Sequence, residues 1–545
     1  MTDETPSLPE ALTGLLDANA ERDPGGAGIT DGRVHLDWSE YRDRAAALAG
    51  ALVAEGVRPG DRVAIHLPKS VDSFVAAHAI VRLGAVMVPV DWFAPGDHVA
   101  DVIGDAAPAA IISSAGEQRF DEILGAGSRP AVVTPDAVGP PVGPVDVDAS
   151  SAAYIVYTSG STGKPKGIVH THASALAYAV GAVATYALTT SDRLANIAPL
   201  HFDQSTFELW AGPLAGATVV VVPDGVLRFP ASLSDLVARE RATVWYSVPY
   251  AIMQLVTRGA AAERDLSALR WVLFGGESFP PAALAAAQRV LPQARFSNVY
   301  GPAEVNQCTF HHLDALEGDP GDGDGGVGGG GGVDGGGGDG AADSTIPIGR
   351  PWPAAQVLVV DADDNVLEGP GDGELLVSSA TMMEGYWRRP ELTAAAIGVR
   401  PETGDARRWY RTGDLVRRLD DGLLVFLGRG DHQVKVRGHR IELEAVESVV
   451  TEAPGVDACA VLVERSDEDR LIALVAPAPD DERRASMLAL LGRRLPRYSV
   501  PAEVVGVETL PRTAVGKVDR AAAAALLAEF RGVEERIVAS SDSLG

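Results

Sequence analysis

Between residues 58 and 297, short β-rich runs alternate with longer helical patterns, and this alternation narrows the possible architectures more than any other feature. Residues 63–66 (Val-Ala-Ile-His) read as a strand, 71–83 as a helix, and 85–90 (Ala-Val-Met-Val-Pro-Val) as a strand again. The alternation continues through 109–112, 218–222, 243–246 and 271–274. Strand, covering helix and next strand imply right-handed crossovers and largely parallel sheets buried on both faces. The expected class is α/β, with a large N-terminal domain of parallel-rich sheets covered by helices. The chain has 545 residues, and single domains usually hold about 100–200. A second, smaller domain is therefore expected.

Residues 318–340 are almost all Gly and Asp. Such a stretch buries no apolar area and reads as a flexible, solvated loop. Strands at 356–360 and 374–377 then suggest a β-rich subdomain. Beyond about residue 429 the pattern changes to hairpins and amphipathic helices. Helices are expected at 442–450 and 485–495, and strands at 458–463 and 471–475. This predicts a small, mobile α+β C-terminal domain. The expected division is a core over 1–428, a hinge at 429–431 and a mobile domain over 432–545.

Lys plus Arg is 46 and Asp plus Glu is 74, a net charge of −28. Phosphate backbones and anionic lipid both require a basic face, so neither a nucleic-acid nor a membrane partner is expected. Two cysteines, Cys308 and Cys459, do not make a disulfide framework, and a reducing compartment fits. The N-terminus, beginning Met1-Thr2-Asp3-Glu4, leads into no apolar signal segment. The longest uncharged stretch, 173–191, is rich in Ala, Thr, Ser and Gly and reads as a buried helix rather than a membrane span. A cytoplasmic location is expected.

The sharpest local signal is Tyr157-Thr158-Ser159-Gly160-Ser161-Thr162-Gly163-Lys164-Pro165-Lys166-Gly167, directly after the strand-like Tyr154-Ile155-Val156. Small residues let backbone N–H groups converge on an anion, and glycine permits positive φ. Hydroxyls of Thr158, Ser159, Ser161 and Thr162 add donors, and Lys164 and Lys166 add charge. These are the requirements of a polyphosphate. It is not a Walker A loop, because Lys164 is followed by Pro165 rather than Ser or Thr.

This segment resembles the phosphate loop of the acyl-adenylate-forming superfamily, which includes acyl-CoA synthetases, luciferases and the adenylation domains of nonribosomal peptide synthetases. Further motifs follow in the order of that family. They are Phe202-Asp203-Gln204-Ser205, Asn298-Val299-Tyr300-Gly301-Pro302-Ala303-Glu304, Gly373-Glu374-Leu375, Tyr410-Arg411-Thr412-Gly413-Asp414-Leu415, the run from Gly428 to Gly438, and Gly516-Lys517-Val518-Asp519-Arg520. The resemblance covers nearly the whole chain and is nearest to amino-acid adenylation proteins.

The resemblance implies ATP and Mg²⁺ as cofactors and gives each motif a role. The phosphate loop, including Gly160 and Gly163, holds the triphosphate. Glu304 binds Mg²⁺, a hard cation that prefers carboxylate oxygen. Tyr300 and Gly301 lie along the adenine, with Asn298 near its exocyclic amine. Asp414 and Arg429 meet the ribose. Lys517 bridges the substrate carboxylate and the α-phosphate. Only five lysines occur in the chain, and Lys164, Lys166, Lys435 and Lys517 all fall inside motifs. Asp431 is the hinge residue, and the segment ending at Gly438 lines a thiol tunnel after rotation. One position departs from the family: Ala303 stands where a Thr usually contacts the α-phosphate, a loss of about 1.5–3 kcal/mol if nothing replaces it.

By the same resemblance Asp203 binds the substrate's α-ammonium group; capping of a helix starting near Gln204 is the plainer alternative. The side-chain pocket is lined by Gln204, Phe207, Tyr246, Leu273, Gly275, Val299, Gln307 and Cys308. None carries a formal charge, so a small or medium neutral amino acid is expected, alanine first and proline or valine next. The C-terminal Asp542-Ser543-Leu544 reads as a frayed tail. The expected activity is formation of an aminoacyl-AMP with release of pyrophosphate, then transfer to the phosphopantetheine thiol of a separate carrier protein in natural-product biosynthesis. The alternatives are an acid–CoA ligase for a non-amino acid, a nucleotide-binding module weakened by Ala303, and more distantly a luciferase-like oxygenase.

Overall fold

The computed structural model describes the chain except residues 1–10, 126–128, 159–163, 314–345, 354, 401–403, 405, 430–432, 467–468, 513–517, 532–536 and 539–545. Five predicted loop residues (Ser159, Gly160, Ser161, Thr162, Gly163), the hinge residue Asp431, Lys517 and the Gly/Asp tract 318–340 lie outside the described residues.

Two large sheets dominate the N-terminal part. One has seven strands in the order Gly385–Tyr386, Lys166–Thr171, Ala152–Thr158, Val86–Pro89, Arg62–His66, Ala110–Ser113, Ala131–Val133. The other has nine, and its central run is Arg295–Tyr300, Trp271–Gly275, Val244–Ser247, Arg193–Asn196, Thr218–Val221. Neighbours in that run pair in parallel, as the sequence pattern predicts. Their strands are apolar on both faces because helices cover both. Trp38–Ala54, Val71–Arg82 and His172–Tyr186 contribute to one contiguous core that also takes in residues of both sheets.

Local signals start these helices. Asp37 accepts from the Glu40 N–H while Glu40 accepts from the Asp37 N–H, a reciprocal capping box before Trp38–Ala54. Thr171 accepts from the Ser174 N–H at 3.0 Å in the same way before His172–Tyr186. That helix is the uncharged stretch of the sequence, and it packs inside the protein. Among the described residues no helix is long and apolar enough to cross a membrane.

A smaller antiparallel sheet, Ala355–Val360, Gly371–Ser379, Arg408–Arg418, Ile397–Val399 and Leu424–Arg429, forms the β-rich part. Beyond it comes a two-stranded hairpin, Gln433–Val436 and His439–Glu442. Val436 pairs with His439, so Arg437 and Gly438 form the whole turn. Their φ values are 50° and 82°, the left-handed pair that a two-residue hairpin needs to match strand twist. A separate sheet of Glu503–Gly506, Arg470–Ala476, Ala458–Glu464 and Ile537–Val538 packs on helices Leu443–Thr451, Asp481–Arg494 and Arg520–Arg531 over two cores of its own. The α+β character expected of this end is present.

The plainer alternative for Asp203, capping of a regular helix, does not match the structure. No regular helix starts at Gln204. Asp203–Ser205 is a single 3-10 turn, followed by a π-helical segment, Phe207–Ala211. Phe202, not Asp203, stands at the start of that turn. The aromatic residues Phe207 and Trp210, both fully buried, take their inward positions at the expense of regular helical pitch.

Candidate active site

The C-terminal ends of the parallel strands bring the motif residues together. Strand Arg295–Tyr300 ends at Tyr300, and the chain turns at once through Gly301. A Cβ on Gly301 would lie 2.4 Å from the Asn306 carbonyl oxygen, so only glycine permits this fold-back. The turn returns as the antiparallel strand Thr309–Leu313. It carries Glu304 at its tip. His170 Nε2 donates to the Ala303 carbonyl at 2.8 Å, the Met383 N–H donates to the Glu304 carbonyl at 2.7 Å, and the Thr381 hydroxyl donates to the Val305 carbonyl at 2.6 Å. Burial lowers the His170 pKa to about 4, so it serves as a neutral strut.

Glu304 is completely buried. Its carboxylate accepts from the Tyr386 hydroxyl at 2.8 Å and from Arg440 at 2.8 Å, and Lys166 Nζ lies 3.5 Å away. Burial alone would raise its pKa, but Arg440 and Lys166, with these hydrogen bonds, hold it well below the ordinary carboxylate range. Glu304 is therefore ionised. Burial pulls Lys166 down from its ordinary value, and Glu304 opposes that pull.

Beside this cluster Tyr300 donates to Asp414, and Arg429 pairs with the other oxygen of the same carboxylate. Arg429 also donates to the Thr412 carbonyl at 3.1 Å. Asn298 donates to the Pro347 carbonyl at 2.9 Å, leaving its amide oxygen for another partner. Thr158, at the end of its strand, has a buried hydroxyl without a partner among the described residues.

A cavity of about 440 Å³ opens here, bordered by Lys164, Lys166, Arg389, Arg411, Arg429 and Arg440 against only two acidic residues, Glu374 and Glu442. In a chain of net charge −28 this concentration of cations suits a polyanion. A divalent metal was also expected at Glu304. Among the described residues no group of three or more His, Cys, Asp or Glu side chains gathers to hold a metal. One carboxylate still fits magnesium, which is commonly held by one or two carboxylates plus substrate phosphates. In the arrangement observed, however, Arg440 and Lys166 already neutralise that carboxylate.

Asp203 is half-buried, and among the described residues no cation stands within ion-pair distance of it. Loss of water around it pushes its pKa up to about 6, and the more distant Lys435 opposes the shift. Phe207 meets Tyr246 edge-on at 5.6 Å. Leu273, Val299, Gln307 and Cys308 are all buried, and Gln204 donates to the Gly275 carbonyl at 3.4 Å. A Cβ on Gly275 would stand 2.2 Å from the Val299 carbonyl oxygen, so this strand-end glycine lets two backbones pass closely.

Gly438 packs against a different part of the large lobe. Its N–H donates to Glu277 at 2.9 Å, and a Cβ there would meet Val248 at 2.5 Å. The next residue, His439, stacks on Tyr498 at 3.9 Å and meets Phe202 edge-on at 5.1 Å. A second cavity of about 370 Å³ adjoins, lined by Asp91, Trp92, His201, His439 and Tyr498 among others.

The structure therefore gathers Thr158, Lys164, Lys166, Glu304, Tyr300, Asp414 and Arg429 in one region, and places Asp203 near it. The sequence reading assigned no role to Arg440, Tyr386, His170 or Lys435. Arg440 lies two residues beyond the Gly438 motif, so a longer reading of that motif could have reached it. Tyr386 and His170 carry no local signal: Tyr386 reaches Glu304 from the short strand paired with Lys166–Thr171, and His170, on that neighbouring strand, reaches the Ala303 carbonyl.

Comparison with known proteins finds relatives over most of the chain. The sequence profile described as "AMP-binding enzyme" matches residues 16–387, and that described as "AMP-binding enzyme C-terminal domain" matches 445–517. An L-proline–[L-prolyl-carrier protein] ligase of Streptomyces coelicolor is 32% identical over 517 residues, covering 89% of this chain and 91% of the relative. A dimodular nonribosomal peptide synthase of Bacillus subtilis is 31% identical over 90% of this chain but only 20% of its own length. Among solved structures, PA1221, an NRPS protein containing adenylation and PCP domains, superposes with a TM-score of 0.77 at 26% identity, covering 95% of this chain and 97% of that one.

Proposed function

This chain belongs to the AMP-binding enzymes, and from that premise we propose that it activates a neutral amino acid of small or medium size as aminoacyl-AMP and passes it to a carrier-protein thiol. A substrate carboxylate oxygen attacks the α-phosphorus of ATP, and the bond to pyrophosphate breaks. The phosphopantetheine thiol of a separate carrier then attacks the acyl carbon, and AMP leaves with the electron pair. Two anions must meet in the first step, so neutralisation and fixed geometry carry the catalysis.

Asp203 is the observation that carries the amino-acid reading. A carboxylate stripped of much of its water and without a close cation is costly, and a substrate ammonium supplies the missing charge. A fatty or aryl acid leaves that cost in place. The named relatives, a prolyl-carrier protein ligase and a nonribosomal peptide synthase, support the same chemistry.

The remaining roles are those the family resemblance implies. The loop after Thr158, with Lys164 and Lys166, holds the triphosphate. Tyr300 and Asn298 position the adenine. Asp414 and Arg429 position the ribose. Lys517 supplies charge at the reacting carboxylate. Magnesium, when bound, neutralises phosphate oxygens, and Glu304 is the residue that would hold it once Arg440 withdraws. Gly438 and the cavity beside His439 form the approach for the thiol arm. The hinge proposed at 429–431 lets the C-terminal part turn between the two half-reactions.

The test is ATP–pyrophosphate exchange over a panel of amino acids and their des-amino analogues, followed by mass-spectrometric loading of a phosphopantetheinylated carrier protein. Exchange that depends on the amine and is followed by aminoacyl loading is the expected result. Equal exchange with des-amino acids would establish an acid–CoA ligase instead, and ATP binding without exchange a non-catalytic module.

A further inference from the structure

Helix Pro249–Arg258 begins after Val248, and valine has no side-chain oxygen with which to cap the first N–H groups of a helix. Another element supplies the acceptor. The Tyr250 N–H donates to Glu277 Oε1 at 3.2 Å. Glu277 follows strand Trp271–Gly275, across Gly276, whose φ of 93° lies in the left-handed region that favours glycine. The Glu277 carboxylate thus has a place in the large lobe that groups of that lobe fix by themselves.

Its other oxygen faces the small lobe. The Gly438 N–H donates to Glu277 Oε2 at 2.9 Å. The hairpin ladder pairs Val436 with His439, which leaves the N–H groups inside the turn to outside acceptors. Val248, at the start of the same helix, is what a Cβ on Gly438 would strike. The turn therefore sits in a notch bounded by Val248 and Glu277. Loss of water raises the Glu277 pKa, and the N–H groups of Tyr250 and Gly438 oppose the rise. Lys435, on the same hairpin, also favours the ionised form, while Asp469 works against it. The hairpin thus meets two carboxylates of the large lobe, Glu304 through Arg440 and Glu277 through Gly438. Glu304 has a second claimant, the nucleotide's metal. Glu277 borders neither the cation-lined cavity nor the one beside His439, so its contact with the hairpin can be removed without touching the nucleotide.

Resting on the two-step reading above, we propose that Glu277 is a positioning residue of the transfer step: its carboxylate seats the Arg437–Gly438 turn and so sets the hairpin where the carrier's thiol reaches the acyl carbon. It touches neither nucleotide nor acyl group and acts through the turn. A carboxylate fits this task because it only accepts, and its two oxygens serve two N–H donors. An amide of the same size serves one donor and turns its own N–H groups towards the other. Because Tyr250 already holds the carboxylate, little side-chain freedom is lost when the turn docks.

The test compares Glu277→Gln, which keeps the volume, with wild type on the full chain, using the amino acid that gives the best exchange and a phosphopantetheinylated carrier protein that wild type loads. In ATP–pyrophosphate exchange the variant should keep kcat and the KM values for ATP and amino acid, which also shows that it folds. Single-turnover transfer from preformed aminoacyl-AMP to the carrier should fall by about tenfold or more, since a charge-assisted bond gives way to facing N–H groups. Glu277→Asp, which keeps the charge and both acceptors at shorter reach, should show the same split to a lesser degree, so the inference does not hang on one variant. Transfer at the wild-type rate in Glu277→Gln overturns it. Equal losses in both assays for both variants also overturn it, because that is what a merely structural residue gives. A wild type that exchanges pyrophosphate yet loads no carrier removes the two-step reading itself, a failure that shows before any variant is made.

Discussion

Arg440, on the hairpin that Gln433–Val436 and His439–Glu442 form, donates to the buried carboxylate of Glu304 at 2.8 Å. The group assigned to a metal ion is thus met by a guanidinium from the other lobe. The same hairpin carries Lys435, which is partly buried and whose charge reaches both Asp414 and Asp203. The C-terminal lobe therefore places a cation, Arg440, directly on Glu304, where the nucleotide's metal is expected, and brings the charge of Lys435 nearer to Asp203 without pairing with it. A position cannot be held by both, so this arrangement and the loading of ATP with its metal exclude each other at Glu304.

Replacing Arg440 by Gln should separate the two half-reactions. The KM for magnesium-ATP in pyrophosphate exchange should fall or stay unchanged, because nothing competes for Glu304. Carrier loading should slow by about tenfold, since a largely buried charge-assisted contact that holds the lobes in this arrangement is lost. Single-turnover kinetics of each step check this. An equal loss in both steps would place Arg440 in adenylation itself.

Asp203 predicts a pH dependence with a definite sign. Its pKa is raised to about 6 by loss of solvent, so the carboxylate gains its proton as pH falls through about 6, well above an ordinary aspartate. The protonated acid does not attract an ammonium group. The kcat/KM for the amino acid, which reports the free enzyme, should therefore fall below about pH 6 and level off above it. Asp203→Asn should flatten this limb and lower kcat/KM by about 100-fold or more for the amino acid, with a much smaller loss for the des-amino analogue. Equal losses would remove the amine-binding role.

Lys517→Ala should abolish pyrophosphate exchange, yet leave transfer from supplied aminoacyl-AMP to the carrier within a few-fold of wild type. A long cation at the reacting carboxylate matters only while two anions are being joined. Quenched-flow assays of the two steps decide this. If both survive intact, the charge comes from elsewhere.

Gly438→Leu should leave pyrophosphate exchange largely unchanged and block carrier loading. A side chain there meets Val248 and must adopt a φ of 82°, a conformation unfavourable for a branched residue. Loading measured by mass spectrometry should fall by at least about tenfold. Normal loading would show that the hairpin turn does not line the thiol's route.

The sequence was most legible where signals are local. The strand–helix alternation placed Arg62–His66, Val71–Arg82 and Val86–Pro89 nearly to the residue, because apolar periodicity reports burial directly. It was least legible at 203–211. There, fitting Phe207 and Trp210 into the core overrode regular helical geometry, and no periodicity announces a π-helical turn. Motif order brought Tyr300, Asp414 and Arg429 to one site although Tyr300 and Asp414 are 114 positions apart. It said nothing about Tyr386, which reaches its site through sheet pairing.

The chemistry on offer was written in the chain itself: which residues carry charge, where glycine permits a close turn, and which acids and bases stand in motifs. The tertiary structure alone decided how those charges are balanced. Whether a carboxylate is held ionised by its neighbours, like Glu304, or pushed towards neutrality by loss of water, like Asp203, depends on the cations within a few ångströms and on the solvent excluded around it. Both quantities are set by segments far away in sequence.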